Sequence, residues 1–262
     1  MPKWLVKKGK QALLPMLALL LWFVCSRLEI WSAYVLPPPE KVWQTFWTML
    51  GSGQLAVHVL ESLRRVFIGY AIAFGLAFAF GVLSGVSPKQ TVYYQHILEF
   101  LRQIPPISLI PLLILWSGIG ETSKIIIIVL AAFFPMFLNI EQGVMGCDPK
   151  LLEVGTLLGF DRWQKFIRIV LPSAVPSILV GMRIGMGYSW RAIIGAEMIA
   201  ASRGLGYLIL DAQQMSRSDK IIVGIIVIGV IGILCDRLWV LLLKKFLHGG
   251  MDHERIDRQG AL

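Results

Sequence analysis

Four ionisable side chains lie inside apolar stretches, where charge is costly and reads as functional by default. Arg102, followed by Gln103, sits in one stretch; Arg183, Arg191 and Glu197 share another. The chemistry open to such a set is charge pairing, between a cation and a carboxylate or between a cation and a solute anion in transit. At about 100° per residue along a helix, Arg183 and Arg191 point about 80° apart, and Glu197 lies about 240° beyond Arg191. Glu197 is therefore a poor partner for Arg191 within one straight helix. Each must face another helix, a second copy of the chain or a path. The structural alternative is an ion pair between spans, or an arginine that snorkels to the interface.

Other chemistries find no residues here. No Gly-x-x-x-x-Gly-Lys-Ser/Thr phosphate loop is present: Gly9-Lys10 is followed by Gln11 and lacks the earlier glycine. ATP hydrolysis is not expected of this chain. His58, His96, His248 and His253 form no helical metal pair. Cys25, Cys147 and Cys235 give no disulfide framework, and no nucleophile constellation is evident. An intramembrane enzyme, which needs paired acids, a metal site or a nucleophile at depth, is disfavoured.

Composition sets the class. Of 262 residues, 56% are hydrophobic and 16% charged, with mean hydropathy +0.70; soluble domains carry about 25% charge. The apolar residues gather into blocks near span length. The net charge of +9 sits largely in the N-terminal tail, short loops and the C-terminal end, as the positive-inside rule wants. That placement argues for a polytopic membrane protein and against nucleic acid as a partner.

Between two of the blocks lies a polar segment holding Asp148, Lys150, Glu153, Asp161, Arg162, Lys165 and Arg168. So many charges place it in water. Leu151, Leu152, Val154, Leu157 and Leu158 recur at helical period. Gly159 suits a left-handed C′ position, Asp161 suits the N-cap of a second helix, and Pro172 is expected to end that helix. The predicted shape is a helical hairpin over 148–172 on one membrane face.

In chain order, a basic tail (Lys3, Lys7, Lys8, Lys10) precedes a first span over 12–24, read as uncleaved. Leu36-Pro-Pro-Pro39 must be extended, and 42–50 reads as an interfacial helix with Trp43, Phe46 and Trp47. The second span, 62–86, enters through Arg64 and Arg65, expected to snorkel, and carries Gly69, Gly75, Gly81 and Gly85 for close helix contact. A cytoplasmic turn over 87–95 is expected next. The third span, 97–119, is broken by Pro105, Pro106 and Pro111, with Arg102, Gln103 and Ser108 near the kinks. Such breaks are tolerated where protein or a water-filled cavity meets the freed carbonyls, so this span is a candidate to line a path. A fourth span covers 124–142, bent at Pro135, and a fifth 173–200. An outer segment with a short amphipathic helix runs over 202–220, and a sixth span over 221–243. The chain divides into 1–61 (tail, first span, interfacial segment), 62–247 (a five-helix core with the hairpin) and a polar tail, 248–262. Both termini are expected on the hairpin's side, the cytoplasm.

Glu153, Gly159, Ile169, Leu171 and Pro172 stand at the spacing of the EAA loop of bacterial ABC-importer permeases, and the segment resembles it. Val154 and Gly155 stand where that family often has alanines. The strings Leu101–Gly120, Tyr188-Ser-Trp190 and Ala196–Ser202 resemble the sulfonate, taurine and nitrate branch. The resemblance covers nearly the whole chain. It implies an all-α permease subunit of a type I importer with the MetI-like six-span fold, in the bacterial inner membrane. It also implies a second copy of the chain, two cytoplasmic ATPase subunits carrying ATP and magnesium, and an external solute-binding protein; no cofactor belongs to this chain. The ATPase-coupling candidates are Glu153, Leu158, Gly159, Asp161, Ile169, Leu171 and Pro172. The path candidates are Arg102, Gln103, Pro105, Ser108, Trp190, Arg191 and Glu197, with a small anion such as an alkanesulfonate, taurine or nitrate as cargo. One alternative is an ion-driven secondary transporter, which leaves the hairpin unexplained; another is an ABC-importer permease for a different small nitrogen or sulfur compound.

Overall fold

The computed structural model describes residues 3–247, with side chains over 13–87 and 93–244. The tail 248–262, the side chains of the basic tail, and those of Lys89 and Lys245 lie outside that description. Among the described residues the chain is helical and without strands: α1 (Lys3–Arg27), α2 (Pro39–Gly51), α3 (Gln54–Val86), α4 (Pro88–Gln103), α5 (Ile110–Ser117), α6 (Glu121–Met145), α7 (Pro149–Leu157), α8 (Arg162–Lys165), α9 (Leu171–Ala200), α10 (Leu205–Gln214) and α11 (Ser218–Leu247).

Four helical stretches are long and apolar enough to cross a membrane: 54–86, 121–145, 162–200 and 218–244. A fifth crossing requires α4 and the 106–117 helix to count as one span, bent by 85°. The described apolar part of α1, Leu13–Arg27, is shorter. The structure thus supplies four to five of the six expected spans by length and composition.

The core is α3, α6 and α9, packed through small residues. Along α3, Gly69, Ala73, Ala77 and Gly81 recur every four residues and are buried. A methyl group at Gly69 would lie 2.7 Å from Ile128, and one at Gly81 2.9 Å from Ile140, so bare backbone lets α6 approach. Gly75 departs from the expectation: nothing lies within 4 Å of its position, because it is off that four-residue stripe. On the other side of α6, Gly181 of α9 abuts Asn139, and Gly185 abuts Met136.

Three local expectations are corrected. The turn over 87–95 is reduced to Ser87, since Pro88 opens α4 at a position where its missing N–H costs nothing. Arg65 does not snorkel; it is 4% exposed, held by carboxylates from other helices. Pro172 does not end the hairpin's second helix. A π-helical turn, Phe166–Val170, joins α8 to α9, and the Leu171 N–H donates to Phe166 O five residues back. The widened turn takes up the donor and the space that a proline denies an α-helix. Helix therefore runs on from Arg162 to Ala200, 39 residues.

Candidate functional site

Three constellations stand at three depths. The first is the hairpin. Asp148 caps α7, its Oδ1 accepting from Lys150 N at 2.9 Å. At the other end Gly159 has φ +74°, and Phe160 N donates to Gly155 O (2.9 Å) while Gly159 N donates to Thr156 O (3.0 Å). These two bonds form a Schellman closure, which needs the left-handed residue that glycine supplies. Asp161 then opens α8 with a capping box: Oδ1 accepts from Gln164 N (2.6 Å) and Gln164 Oε1 from Asp161 N (3.1 Å). The two arms touch where Gly155 has no side chain; a methyl there would lie 2.6 Å from Ile169 Cδ1. Lys165 Nζ ties across to Thr156 Oγ1 at 2.7 Å. Leu171 is half-buried at the arm's end, and Pro172 is exposed.

This knob shows water an apolar face. Leu157 is 88% exposed and Leu158 64%, with Leu151, Val154 and Trp163 also exposed. Glu153 is exposed beside them and makes no hydrogen bond or ion pair among the described residues. A packed hairpin that leaves such side chains bare is built to meet another surface.

The second constellation lies at the helix break. Arg102 and Gln103 are the last residues of α4. Pro105 and Ser108 occupy the break, with Ser108 Oγ donating to Pro105 O at 2.7 Å. A cavity of about 310 Å³ opens against it, lined by Arg102, Gln103, Pro106, Phe134, Pro135 and Tyr188 among others. Arg191, one turn beyond Tyr188, holds its guanidinium over that ring at 5.8 Å. Arg102, Gln103 and Tyr188 thus meet at one cavity, while Arg191 lines another, of about 170 Å³, with Arg183, Trp190 and Asp236. Trp190 is buried, and its Nε1 donates to Ile228 O of α11. Arg183 makes a bidentate pair with Asp236 of α11 at 2.7 and 2.9 Å.

The third constellation is at the end of the bundle away from the hairpin. Glu197 is fully buried. It accepts from Ser62 Oγ (2.8 and 2.9 Å), Arg65 Nη1 (2.8 Å) and Gly206 N (3.0 Å). Arg65 reaches Glu121 through Nε (2.7 Å) and Nη2 (3.0 Å), and the Arg203 carbonyl through Nη1 (2.7 Å). Lys124 Nζ completes Glu121 at 2.6 Å. His58 Nδ1 accepts from Gly204 N at 3.1 Å and Ser62 Oγ from Leu205 N at 2.9 Å. Burial on this scale is paid back only by such complete pairing. The network pins the loop after α9 to α3 and α6, so Glu197 serves there and lines neither cavity beside Arg102. The sequence alone gives Ser62 and Glu121 no role and reads Arg65 as a snorkelling side chain. The available signal was that Arg65, Glu121 and Glu197 fall near the same end of three different apolar blocks.

Residues 71–248 match the model of the family described as binding-protein-dependent transport system inner membrane component. The chain belongs to that family. The permease is 39% identical over 238 residues to the aliphatic sulfonates transport permease protein SsuC of Bacillus subtilis (strain 168), covering 91% of this chain and 86% of that one. It is 35% identical to the taurine transport system permease protein TauC of Escherichia coli (strain K12), covering 89% and 88%. Its fold matches a solved chain of an amino acid ABC transporter with TM-score 0.64 at 15% identity, covering 76% of the permease and 98% of that chain. The permease is thus the membrane-spanning subunit of an ABC importer.

Proposed function

We propose that the permease forms half of an import path for a small organic or inorganic anion, that a second copy supplies the other half, and that the 148–172 hairpin docks a separate ATPase subunit in the cytoplasm. The observation that carries this is the hairpin's construction: a capped, doubly closed knob with Leu157 and Leu158 bare at its tip. A docking knob is useful only if its motion reaches the path. Its second arm is continuous with α9, which carries Tyr188 to the cavity and Glu197 to the far network. Tilting of the knob would therefore be felt at both depths, as alternating access requires. The relatives' names supply the cargo class, aliphatic sulfonates and taurine, and an external solute-binding protein would deliver it to the face opposite the hairpin. ATP and magnesium belong to the ATPase. Both termini lie in the cytoplasm of a bacterial inner membrane in this reading.

Two experiments test it. A tagged permease purified from its own membrane should bring an ATP-hydrolysing subunit with it; purification of the chain alone, still transporting, would favour an ion-driven carrier. Lys150→Cys in intact cells should stay unlabelled by an impermeant thiol reagent until the membrane is opened. Labelling from outside would reverse the orientation.

A further inference from the structure

We propose that the groove between α1, α2 and α11 is a binding site for a zwitterionic phospholipid, with one acyl chain in the groove and the head-group phosphate on Arg27. The site lies outside the import path and needs only that the chain spans a membrane. The groove has a volume of about 760 Å³, within the range of ligand pockets. Leu19 and Trp22 of α1 form one wall, α11 from Val223 to Ile231 the other, and Val42 and Phe46 of α2 close the outer end. Glu40 is the one charged residue among those that line it. At 1.5 Å per residue, the α11 wall is about 12 Å long, close to the roughly 15 Å of hydrocarbon in one leaflet. It starts in the second turn of α11, at the end of the bundle away from the hairpin. An acyl chain of that leaflet matches the groove in length and in apolarity.

The mouth carries both signs of charge. Arg27 ends α1, about two turns beyond Leu19. Its Nη2 donates to Glu40 Oε1 at 2.8 Å, both side chains being exposed, and Arg27 makes no other hydrogen bond among the described residues. A guanidinium has five N–H donors and a carboxylate about four lone-pair sites, so each partner keeps capacity for a further group. Arg27 can take two phosphate oxygens, and Glu40 beside it can take the ammonium of the same head group. A purely anionic head group would meet Glu40 without a charge to offer it.

The surroundings place this mouth at head-group level. Trp43 and Trp47 are exposed beside it and meet edge to face at 5.5 Å. Such amphipathic rings settle at the boundary between lipid and water, so this face of α2 meets lipid rather than a second copy. Trp22 Nε1 donates to Pro37 O at 3.1 Å, which ties α1 to the segment before α2 and fixes the width of the mouth.

The test uses the permease with its co-purifying subunits in mild detergent, and native mass spectrometry after incubation with phosphatidylethanolamine or with diacylglycerol, which lacks the head group. The phospholipid should stay on each permease chain, and diacylglycerol should be held roughly tenfold more weakly, the scale of a charged hydrogen bond. Arg27→Gln should bring the phospholipid down to the level of diacylglycerol. Val227→Trp, which fills the groove, should cut phospholipid retention roughly tenfold or more, since several methylenes lose their burial. Ile225→Trp, on the same helix but off the groove, should leave it unchanged. If the variants do not assemble, the unmodified complex decides: a phosphatidylethanolamine with a photoreactive diazirine on its acyl chain should label 19–22, 42–46 and 223–231 above all. Equal retention in Val227→Trp and Ile225→Trp, diacylglycerol held as well as the phospholipid, or label spread evenly over the exposed helices would overturn the proposal. So would protection of those three segments from label, which would mean that a second copy covers the groove.

Discussion

Arg65 and Glu197 are 132 residues apart in sequence, and their side chains meet at 2.8 Å in the bundle's interior, 5% and 0% exposed. Glu197 stands one turn from the end of the helix that begins at the hairpin, so this contact fixes the far end of that helix to α3. Breaking one side of a buried pair leaves the other charge stranded, at about 3–5 kcal/mol. Arg65→Ala should therefore sharply lower the melting temperature and yield of the solubilised permease. Glu197→Gln keeps the shape but sets an NH2 donor against Arg65 Nη1 or Gly206 N, so it should also destabilise, though less than Arg65→Ala, because Arg65 keeps Glu121. Equal melting of Arg65→Ala and the unmodified chain would remove the network from the list of what holds the fold.

Gly204 gives a narrower test of the same region. It has φ +126°, and a methyl there would lie 2.2 Å from the Glu197 carboxyl carbon. Gly204→Ala should destabilise clearly, whereas Gly75→Ala, with open space around it and ordinary helical backbone, should be neutral or slightly stabilising by up to about 1 kcal/mol. Thermal melts of the two variants side by side decide this; matching losses would mean that the loop is not held as described.

Much of this architecture is legible in the chain. Apolar blocks, glycine spacing and proline breaks report the membrane bundle, and the hairpin's start, turn and second start are written by Asp148, Gly159 and Asp161, because capping is local chemistry. The rest depends on neighbours. Pro172 reads as a stop because no local residue type announces the π turn, Phe166–Val170, that accommodates it. Arg65 reads as a snorkelling side chain because its partners, Glu121 and Glu197, come from distant spans. Trp190 and Glu197 share a helix with Tyr188, yet only the fold shows that their faces turn away from the cavity.

The hairpin's closure makes a prediction about coupling. Gly159→Val forces a β-branched residue into the left-handed region, at about 1–2 kcal/mol, and the knob should deform rather than unfold, since nothing crowds that position. In reconstituted vesicles, ATP hydrolysis should then lose its stimulation by substrate and external binding protein while capture of substrate by that protein is unchanged. Stimulation of unaltered size would mean that the turn's shape is irrelevant to coupling.

Arg191 holds its guanidinium over the Tyr188 ring and does not itself line the cavity at the break, so its loss should act there through that ring. Arg191→Ala should leave the complex assembled and lower the transport rate. If the variant transports normally, Arg191 is a packing residue only.

The central claim, that the bare tip of the hairpin is where the ATPase docks, is tested most directly by Leu158→Asp. Leu158 is 64% exposed, so the substitution removes no core packing, but it sets a charge in any apolar contact made there. The account predicts that tagged Leu158→Asp permease is recovered in normal amount, with a normal melting profile, and brings roughly tenfold less ATPase with it than the unmodified chain does, the loss expected for a charge left unpaired in an interface. Undiminished ATPase recovery with Leu158→Asp would contradict it.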